Sequence, residues 1–196
     1  YDPRRPVVCM DESPRQLIKE TRIPIPAVPG RLKRFDYEYE RCGVCNIFMA
    51  SEPLGGKRIV EVTDQKTKAD WAIFIEHIST QYQEAERITL VMDNLSTHKP
   101  GALYDVFPAA EAKALWDRFE FVYTPKHGSW LNMAEIELSV LSRQCLNRRL
   151  ENKEVLQAEV EKWQADRNNK NAKINWQFKT SDARIKLQRL YPTLDN

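Results

Sequence analysis

The stretch ITLVMDN, residues 88–94, decides the fold, because it is a short apolar run that ends in a carboxylate and an amide. Short apolar runs that contain β-branched residues are typical of buried strands. A second run of this kind, VVCMD at residues 7–11, lies near the start of the chain. The sequence therefore predicts two buried strands, and it places Asp93 and Asp11 at their ends.

Three further strands and four helices are predicted around these two runs. The strands are expected over residues 45–50, 57–62 and 121–123, and the helices over residues 67–82, 109–119, 131–146 and 151–168. The first helix is expected to begin with a capping box formed by Thr67 and Asp70. Three adjacent strands followed by alternating helices and strands indicate an α/β protein with a mixed five-stranded sheet flanked by helices.

A third carboxylate is supplied by the segment TPKHGSWLNMAE, residues 124–135. This segment is a turn-rich loop placed directly before a predicted helix, and Glu135 lies about one turn inside that helix. At about 100° per residue, Glu135 shares a helix face with Asn132 and two serines, whereas Glu137 points elsewhere. Periodicity alone leaves the choice between the two glutamates open.

Two strand-end aspartates and a helical glutamate are the ligands that a site for two divalent metal ions requires. Magnesium prefers oxygen ligands, so one or two carboxylates together with a substrate phosphate complete its shell. Two such ions about 4 Å apart activate the attacking oxygen and stabilise the leaving one in an in-line displacement. Asp11, Asp93 and Glu135 therefore point to phosphoryl transfer on nucleic acid. Glu12 is expected on the opposite face of its strand, in a supporting or surface contact.

Composition adds weaker information. The formal net charge of +2 does not by itself indicate a nucleic-acid partner, but residues 141–196 hold 12 Lys and Arg against 7 Asp and Glu. Such a basic end attracts phosphate or forms a solvated helical face. No run approaches the ~20 apolar residues of a membrane span. The four cysteines lack the spacing of a disulfide framework or a complete zinc site, which predicts reduced thiols as in a cytosolic protein.

The length of 196 residues fits a single domain. Residues 14–41 are rich in proline and are expected to form a long insertion loop between two strands. Such excursions are often functional, and this one could reach toward DNA or a second subunit, or remain a passive surface loop. Residues 170–196 are expected to form a polar, basic tail. The chain starts abruptly, and we expect that an N-terminal partner region is missing from it.

Two motifs carry a resemblance to a known family. VMDNLSTH at residues 91–98 and HGSWLNMAE at residues 127–135 resemble the catalytic core of DDE transposases of the mariner-like superfamily, in particular the bacterial insertion-sequence branch. The MDE segment at residues 10–12 and the NWQF segment at residues 175–178 fit the same branch. The resemblance covers nearly the whole chain.

This resemblance implies an RNase H-like fold, with a DDE catalytic domain over residues 1–196 and two Mg²⁺ or Mn²⁺ ions held by Asp11, Asp93 and Glu135. It implies cleavage at transposon ends and strand transfer into a short target, expected to be TA, by a homodimer assembled on DNA. The helix-turn-helix region that normally precedes this domain is expected to be absent from this chain. The expected location is the bacterial cytoplasm, with nucleoid association when bound to DNA.

Five further residues are candidates for contacts with DNA: Asn94, His98, Lys126, His127 and Arg143. Asn94 and His98 follow Asp93 and could orient a phosphate or a metal-bound water, although His98 could instead cap the next helix. Lys126 and Arg143 are interpreted as phosphate contacts, which position DNA without reading its sequence. For His127 a role in binding and a role in loop structure both stay open.

Two alternatives are kept. One is an RNase H-like nuclease that stops after hydrolysis and performs no strand transfer. The other is a catalytically silent, domesticated DNA-binding or assembly module. The presence of all three carboxylates speaks against the silent module, and replacement of Asp93 by Asn separates the cases.

Overall fold

Five strands form one mixed sheet in the computed structural model, which describes residues 1–125, 128–186 and 188. They are β1 (Val7–Glu20), β2 (Tyr39–Glu52), β3 (Lys57–Thr63), β4 (Ile88–Met92) and β5 (Phe119–Tyr123). Their order across the sheet is β3-β2-β1-β4-β5. The pairs β1–β2 and β2–β3 are antiparallel, whereas β4 is parallel to both β1 and β5. The mixed five-stranded sheet predicted from the sequence is thereby confirmed.

Helices cover both faces of this sheet. They are α1 (Lys68–Gln81), α2 (Gly101–Val106), α3 (Ala109–Arg118), α4 (Ala134–Gln144), α5 (Lys153–Asn169) and α6 (Thr180–Lys186). One core cluster joins the sheet to α1, α2 and α3, and a second joins the other face to α4 and α5. Along β2, Phe48 belongs to the first cluster while Ile47 and Met49 belong to the second. Because both faces are covered, β2 is a continuous apolar run here.

The predicted capping box of α1 is present. The Thr67 hydroxyl accepts from the Asp70 backbone N–H at 3.2 Å, and the Asp70 carboxylate accepts from the Thr67 backbone N–H at 2.7 Å. Helix α2 was not predicted, since it is only six residues long and begins with Gly101. In the described part of the chain, the structure contains no helix long and apolar enough to cross a membrane.

The insertion expected over residues 14–41 is less irregular than predicted. β1 and β2 stay paired as far as Glu20 and Tyr39, and only residues 21–38 form the tip, with bridges between Ile25 and Arg34 and between Val28 and Arg31. β4 pairs with β1 only from Val7 to Cys9, and β3 pairs with β2 only from Asn46 to Glu52, so β1 and β2 continue beyond Pro14 and Asn46 as a two-stranded ribbon. A strand with one unpaired side tolerates proline, which explains why Pro14 does not end β1. We call residues 14–44 the arm.

The C-terminal segment packs on the body as far as it is described. The backbone N–H of Ile174 donates to the Pro53 carbonyl at 2.9 Å. The Phe178 ring meets the Trp130 ring edge-on, with centroids 5.0 Å apart, and Lys186 places its Nζ 4.2 Å from the centre of the Trp130 ring. This segment therefore lies against the loop that leads into α4.

Candidate active site

Asp11 and Asp93 lie at the same edge of the sheet. β1 and β4 are adjacent and parallel, and Cys9 pairs with Val91 at the last position of their ladder. Asp11 and Asp93 each follow two residues beyond that pair. Parallel neighbours that leave the ladder in register bring their next side chains to one place, and this arrangement follows from the two apolar runs themselves.

Glu135 reaches this edge because the start of α4 is fastened to β1. The buried Asn132 side chain donates from Nδ2 to the Met10 carbonyl at 2.7 Å, and its Oδ1 accepts from the Ala134 backbone N–H at 3.2 Å. One amide thus binds the residue before Asp11 and the first residue of α4. The helical period predicted Asn132 on a polar helix face together with Glu135. That prediction is wrong, because α4 begins only at Ala134 and Asn132 is fully buried before it.

Glu137 is excluded from the site by its own partners. Its carboxylate is buried and accepts from Arg58 Nε at 2.9 Å and from Arg58 Nη2 at 2.7 Å. Arg167 Nη2 adds a contact at 2.9 Å. With both oxygens occupied by guanidinium groups, Glu137 fastens α4 to β3 and α5. Glu135, two residues earlier, is the glutamate left to face Asp11.

The neighbouring carboxylates affect the titration of Asp11. Burial, with smaller contributions from the charges of Glu12, Asp93 and Glu135, raises the pKa of Asp11 from its usual 3.8 to about 6, and a hydrogen bond from the Glu12 backbone N–H at 2.8 Å opposes this rise. None of Asp11, Asp93 and Glu135 pairs with a Lys or Arg among the described residues. A cation at this edge would relieve the repulsion.

The donor chemistry of this edge fits a hard divalent cation, since all three groups offer carboxylate oxygens. Within residues 1–125, 128–186 and 188, no group of three His, Cys, Asp or Glu side chains is placed so that it could hold one metal ion. Asp11, Asp93 and Glu135 therefore do not converge on a single ion position in this structure. Substrate oxygens complete the shell of magnesium in sites of this kind, and such sites need only one or two carboxylates per ion.

His98 is buried between two carboxylates. Its Nε2 lies 3.1 Å from Glu12 Oε2, and its Nδ1 lies 2.7 Å from Asp93 Oδ1. Burial lowers the pKa of His98, but the two carboxylates outweigh that effect and raise it. For Glu12, burial by itself would raise the pKa, but the contacts with His98 and Lys66 outweigh burial, and the pKa of Glu12 is lowered. Glu12 is thus a buried neighbour of the site.

The other candidates are distributed less tightly. Asn94 is exposed directly after Asp93. Arg143 is exposed in the last turn of α4, where its Nε donates to the Ser139 carbonyl at 3.3 Å. At about 1.5 Å per residue, it lies about 12 Å along the helix from Glu135, so it is not one of the converging groups. Lys126 and His127 lie outside the described residues.

Asp11 lies just beyond the point where β1 leaves β4, Asp93 follows β4 directly, and Glu135 comes from a helix packed on the sheet. This arrangement of acids is characteristic of RNase H-like nucleases. Comparison with known sequences gives the family: residues 6–157 match the DDE superfamily endonuclease family, and the chain belongs to it. The predicted resemblance to DDE transposases is thereby confirmed at the level of the family. A comparison with curated proteins finds no match.

Solved structures show the same fold. The Mos1 strand transfer complex matches with a TM-score of 0.57 at 14% identity, over 82% of this chain and 47% of that chain. The Mos1 mariner paired end complex with Mn matches at 0.53 and 16%, over 83% and 49%. The catalytic domain of Mos1 mariner transposase matches at 0.55 and 11%, over 83% and 71%. The chain spans about half the length of the Mos1 chains in the complexes. The predicted RNase H-like fold is confirmed.

Proposed function

We propose that this domain cuts DNA at transposon ends and transfers the freed strand into target DNA, with Asp11, Asp93 and Glu135 holding two Mg²⁺ or Mn²⁺ ions. The observation that carries the proposal is the set of three carboxylates at one sheet edge, where the charges of Asp93 and Glu135 help raise the pKa of Asp11. Membership of the DDE superfamily endonuclease family supports DNA as the substrate class. The similarity to Mos1 complexes favours transposition over simple hydrolysis.

The reaction is an in-line displacement at phosphorus. Divalent ions held by Asp11, Asp93 and Glu135 would activate the attacking oxygen and would stabilise charge on the leaving oxygen. Asp11 and Asp93 hold their positions because their strands are buried, and Glu135 holds its position because Asn132 and Glu137 fix α4 at both sides. Water is the nucleophile in the first cut, and the freed 3′-hydroxyl is the nucleophile in strand transfer, for which we propose a TA target. One P–O bond forms as one breaks, so no covalent protein–DNA intermediate is needed.

A DNA-bound homodimer is proposed as the working assembly. The tip of the arm exposes apolar side chains that have no place in the core, notably Ile23, Leu32 and Tyr37. Basic residues lie between them, including Arg31 and Lys33. Large exposed apolar groups next to cations are characteristic of surfaces that contact a partner or nucleic acid. An enzyme acting in this way is expected where cellular DNA lies, in the bacterial cytoplasm.

The test is the Asp93→Asn variant. We expect loss of cleavage of a labelled duplex that carries the element's terminal sequence, because the amide cannot supply the charge that a divalent ion needs. DNA affinity, measured by fluorescence anisotropy, and the unfolding midpoint should stay close to the unaltered protein. Asp117→Asn is the matched control, since Asp117 is exposed and pairs only with Lys113 among the described residues.

Retained cleavage in Asp93→Asn would remove Asp93 from the mechanism. A second assay supplies a pre-cut end with a free 3′-hydroxyl and a target duplex. Joined product supports strand transfer, whereas cleavage without joining would assign the chain to nucleases that stop after hydrolysis.

A further inference from the structure

We propose that Glu12 and His98 form a positioning pair that fixes the orientation of the Asp93 carboxylate for metal binding. The proposal rests on the function proposed above and assigns roles to two side chains that are almost fully buried. Its basis is a continuous chain of contacts, with 3.1 Å from Glu12 Oε2 to His98 Nε2 and 2.7 Å from His98 Nδ1 to Asp93 Oδ1.

The segment after β4 folds back so that His98 reaches Asp93. The Asp93 carboxylate accepts from the Leu95 backbone N–H at 3.3 Å, and the His98 backbone N–H donates to the Leu95 carbonyl at 3.0 Å. These two turns return the chain over the end of β4. The His98 imidazole then lies beside the Asp93 carboxylate.

The imidazole is held on its remaining sides as well. Trp71 of α1 stacks on it with ring centroids 6.1 Å apart and planes inclined by 27°. The Tyr123 hydroxyl donates to the His98 carbonyl at 2.9 Å. The side chain of His98 is 1% exposed, so its ring has one orientation available. A group fixed in this way can transmit a fixed orientation to Asp93.

Glu12 closes the far end of the chain of contacts. Its side chain is 4% exposed, and its Oε2 lies near His98 without an aligned hydrogen bond, so the attraction is mainly electrostatic. Lys66 lies 3.6 Å from the other oxygen. A buried carboxylate is costly unless cations or donors compensate it. Consecutive residues of β1 thus supply a proposed metal ligand, Asp11, and the group that holds His98.

A purely structural role is the competing explanation, and the molecule contains a control for it. Glu61 of β3 contacts His77 of α1, which gives a second Glu–His pair of the same chemistry. Both of its members are about one third exposed, and neither contacts Asp11, Asp93 or Glu135. Supporting residues around metal ligands change metal affinity about 10–100-fold when altered, whereas a remote pair does not.

The experiment compares Glu12→Gln with Glu61→Gln in the full chain. Mn²⁺ is the probe, and its dissociation constant is measured from the free Mn²⁺ signal in electron paramagnetic resonance. We expect Glu12→Gln to weaken Mn²⁺ binding about 10-fold or more, and Glu61→Gln to leave it unchanged within about 2-fold. Both unfolding midpoints are measured in EDTA to show that the variants are folded.

A second variant keeps the test decisive. Should Glu12→Gln unfold, His98→Asn replaces it and His77→Asn becomes its control. When all fold, the double variant of Glu12 and His98 should bind Mn²⁺ no more weakly than His98→Asn alone, because the two residues act as one unit. Equal Mn²⁺ affinity in Glu12→Gln, Glu61→Gln and the unaltered protein overturns the positioning pair.

Failure of the proposed function has a different signature. Asp93→Asn is measured alongside, and unchanged Mn²⁺ binding in that variant removes the metal site itself and the positioning pair with it. Weakened binding in Asp93→Asn together with unchanged binding in Glu12→Gln removes only the positioning pair.

Discussion

Glu135 and Glu137 lie two residues apart in the first turn of α4, and their surroundings are opposite. Glu137 is 1% exposed and is held by the guanidinium groups of Arg58 and Arg167. Glu135 lies close enough to Asp11 for its charge to help raise the pKa of Asp11, and no Lys or Arg among the described residues pairs with it. The same residue type therefore has two roles. At position 137 its charge is paired with arginines and fastens the helix, and at position 135 its charge is not paired with Lys or Arg among the described residues.

The comparison assigns folding stability to Glu137 and the proposed metal binding to Glu135. A buried ion pair with all its oxygens satisfied fixes a helix in place, and losing one partner is severe because the other charge stays buried. Carboxylates that lie near one another without a cation repel one another and so lower the stability of the folded state. Because their charges are not neutralised, they attract a cation. Helix α4 contains both kinds of site, so substitutions at positions 135 and 137 should affect different measurements.

The largest expected effect comes from exchanging each glutamate for glutamine. Glu135→Gln should lower DNA cleavage by at least about 100-fold, since removal of one group that stabilises charge in the transition state has effects of this size or more. Its unfolding midpoint should not fall. Glu137→Gln should lower the midpoint while the fraction that remains folded still cleaves. Loss of cleavage in a folded Glu137→Gln protein, with activity kept in Glu135→Gln, would reverse the assignment.

A second effect concerns the anchor alone. Arg58→Ala leaves Glu137 buried with only Arg167 beside it, and we expect a loss of about 3 kcal/mol in the free energy of unfolding. Urea denaturation followed by circular dichroism measures this loss. Arg143→Ala is the control, because Arg143 is exposed, and its effect should stay within about 0.5 kcal/mol. Equal losses in the free energy of unfolding for Arg58→Ala and Arg143→Ala would show that the buried pair stabilises the protein no more than an exposed arginine does.

A third effect tests the cost of the charged Asp11 carboxylate, which comes from burial first and from the neighbouring acids second. The raised pKa of Asp11 means that the folded state binds its proton more tightly than the unfolded chain, so this group lowers stability as pH rises from about 4 to about 6. In EDTA, Asp11→Asn should therefore stabilise the protein by about 1 kcal/mol at pH 7.5. The gain should vanish below about pH 3, where Asp11 is protonated in both states.

Urea denaturation at the two pH values measures this difference. Lys113→Gln serves as the control, because Lys113 is exposed and belongs to a surface pair with Asp117. A pH-independent effect of Asp11→Asn would contradict the charge explanation and indicate a packing effect instead.

The sequence predicted the sheet and the acids because both depend on local pattern. The apolar runs before Asp11 and Asp93 are strands, although β1 continues past Asp11 to Glu20, and the parallel pairing of β1 with β4 brings the two aspartates to the same place. The Thr67 capping box is equally local and was predicted correctly. The choice between Glu135 and Glu137 was not local, since it depends on Arg58, which lies 79 residues away in sequence.

The contacts missed from the sequence are long-range as well. Asn132 donates to the Met10 carbonyl, which lies 122 residues away in sequence. Helical periodicity could not predict this contact, because Asn132 lies before the first residue of α4. The paired part of the arm was missed because prolines suggested a loop, whereas a ribbon with one free side accepts Pro14. Glu12 was expected on the opposite face of β1 from Asp11. Its contact there is His98, which the turns after β4 bring back to the sheet, and this contact could not be predicted from local pattern.

The smallest expected effect concerns the loop that carries Glu135 into place. Phe178 and Trp130 meet edge-on at 5.0 Å, and such aromatic pairs contribute about 0.5–1.5 kcal/mol beyond their buried area. Phe178→Ala should therefore increase hydrogen exchange of the Leu131 and Asn132 amides, which close the turn before α4. Exchange in α5 should not change. Phe178→Tyr retains the ring and should retain protection. If Phe178→Ala leaves both amides as protected as before, the C-terminal segment merely covers Trp130, and the bond from Asn132 to Met10 suffices to hold Glu135 near Asp11.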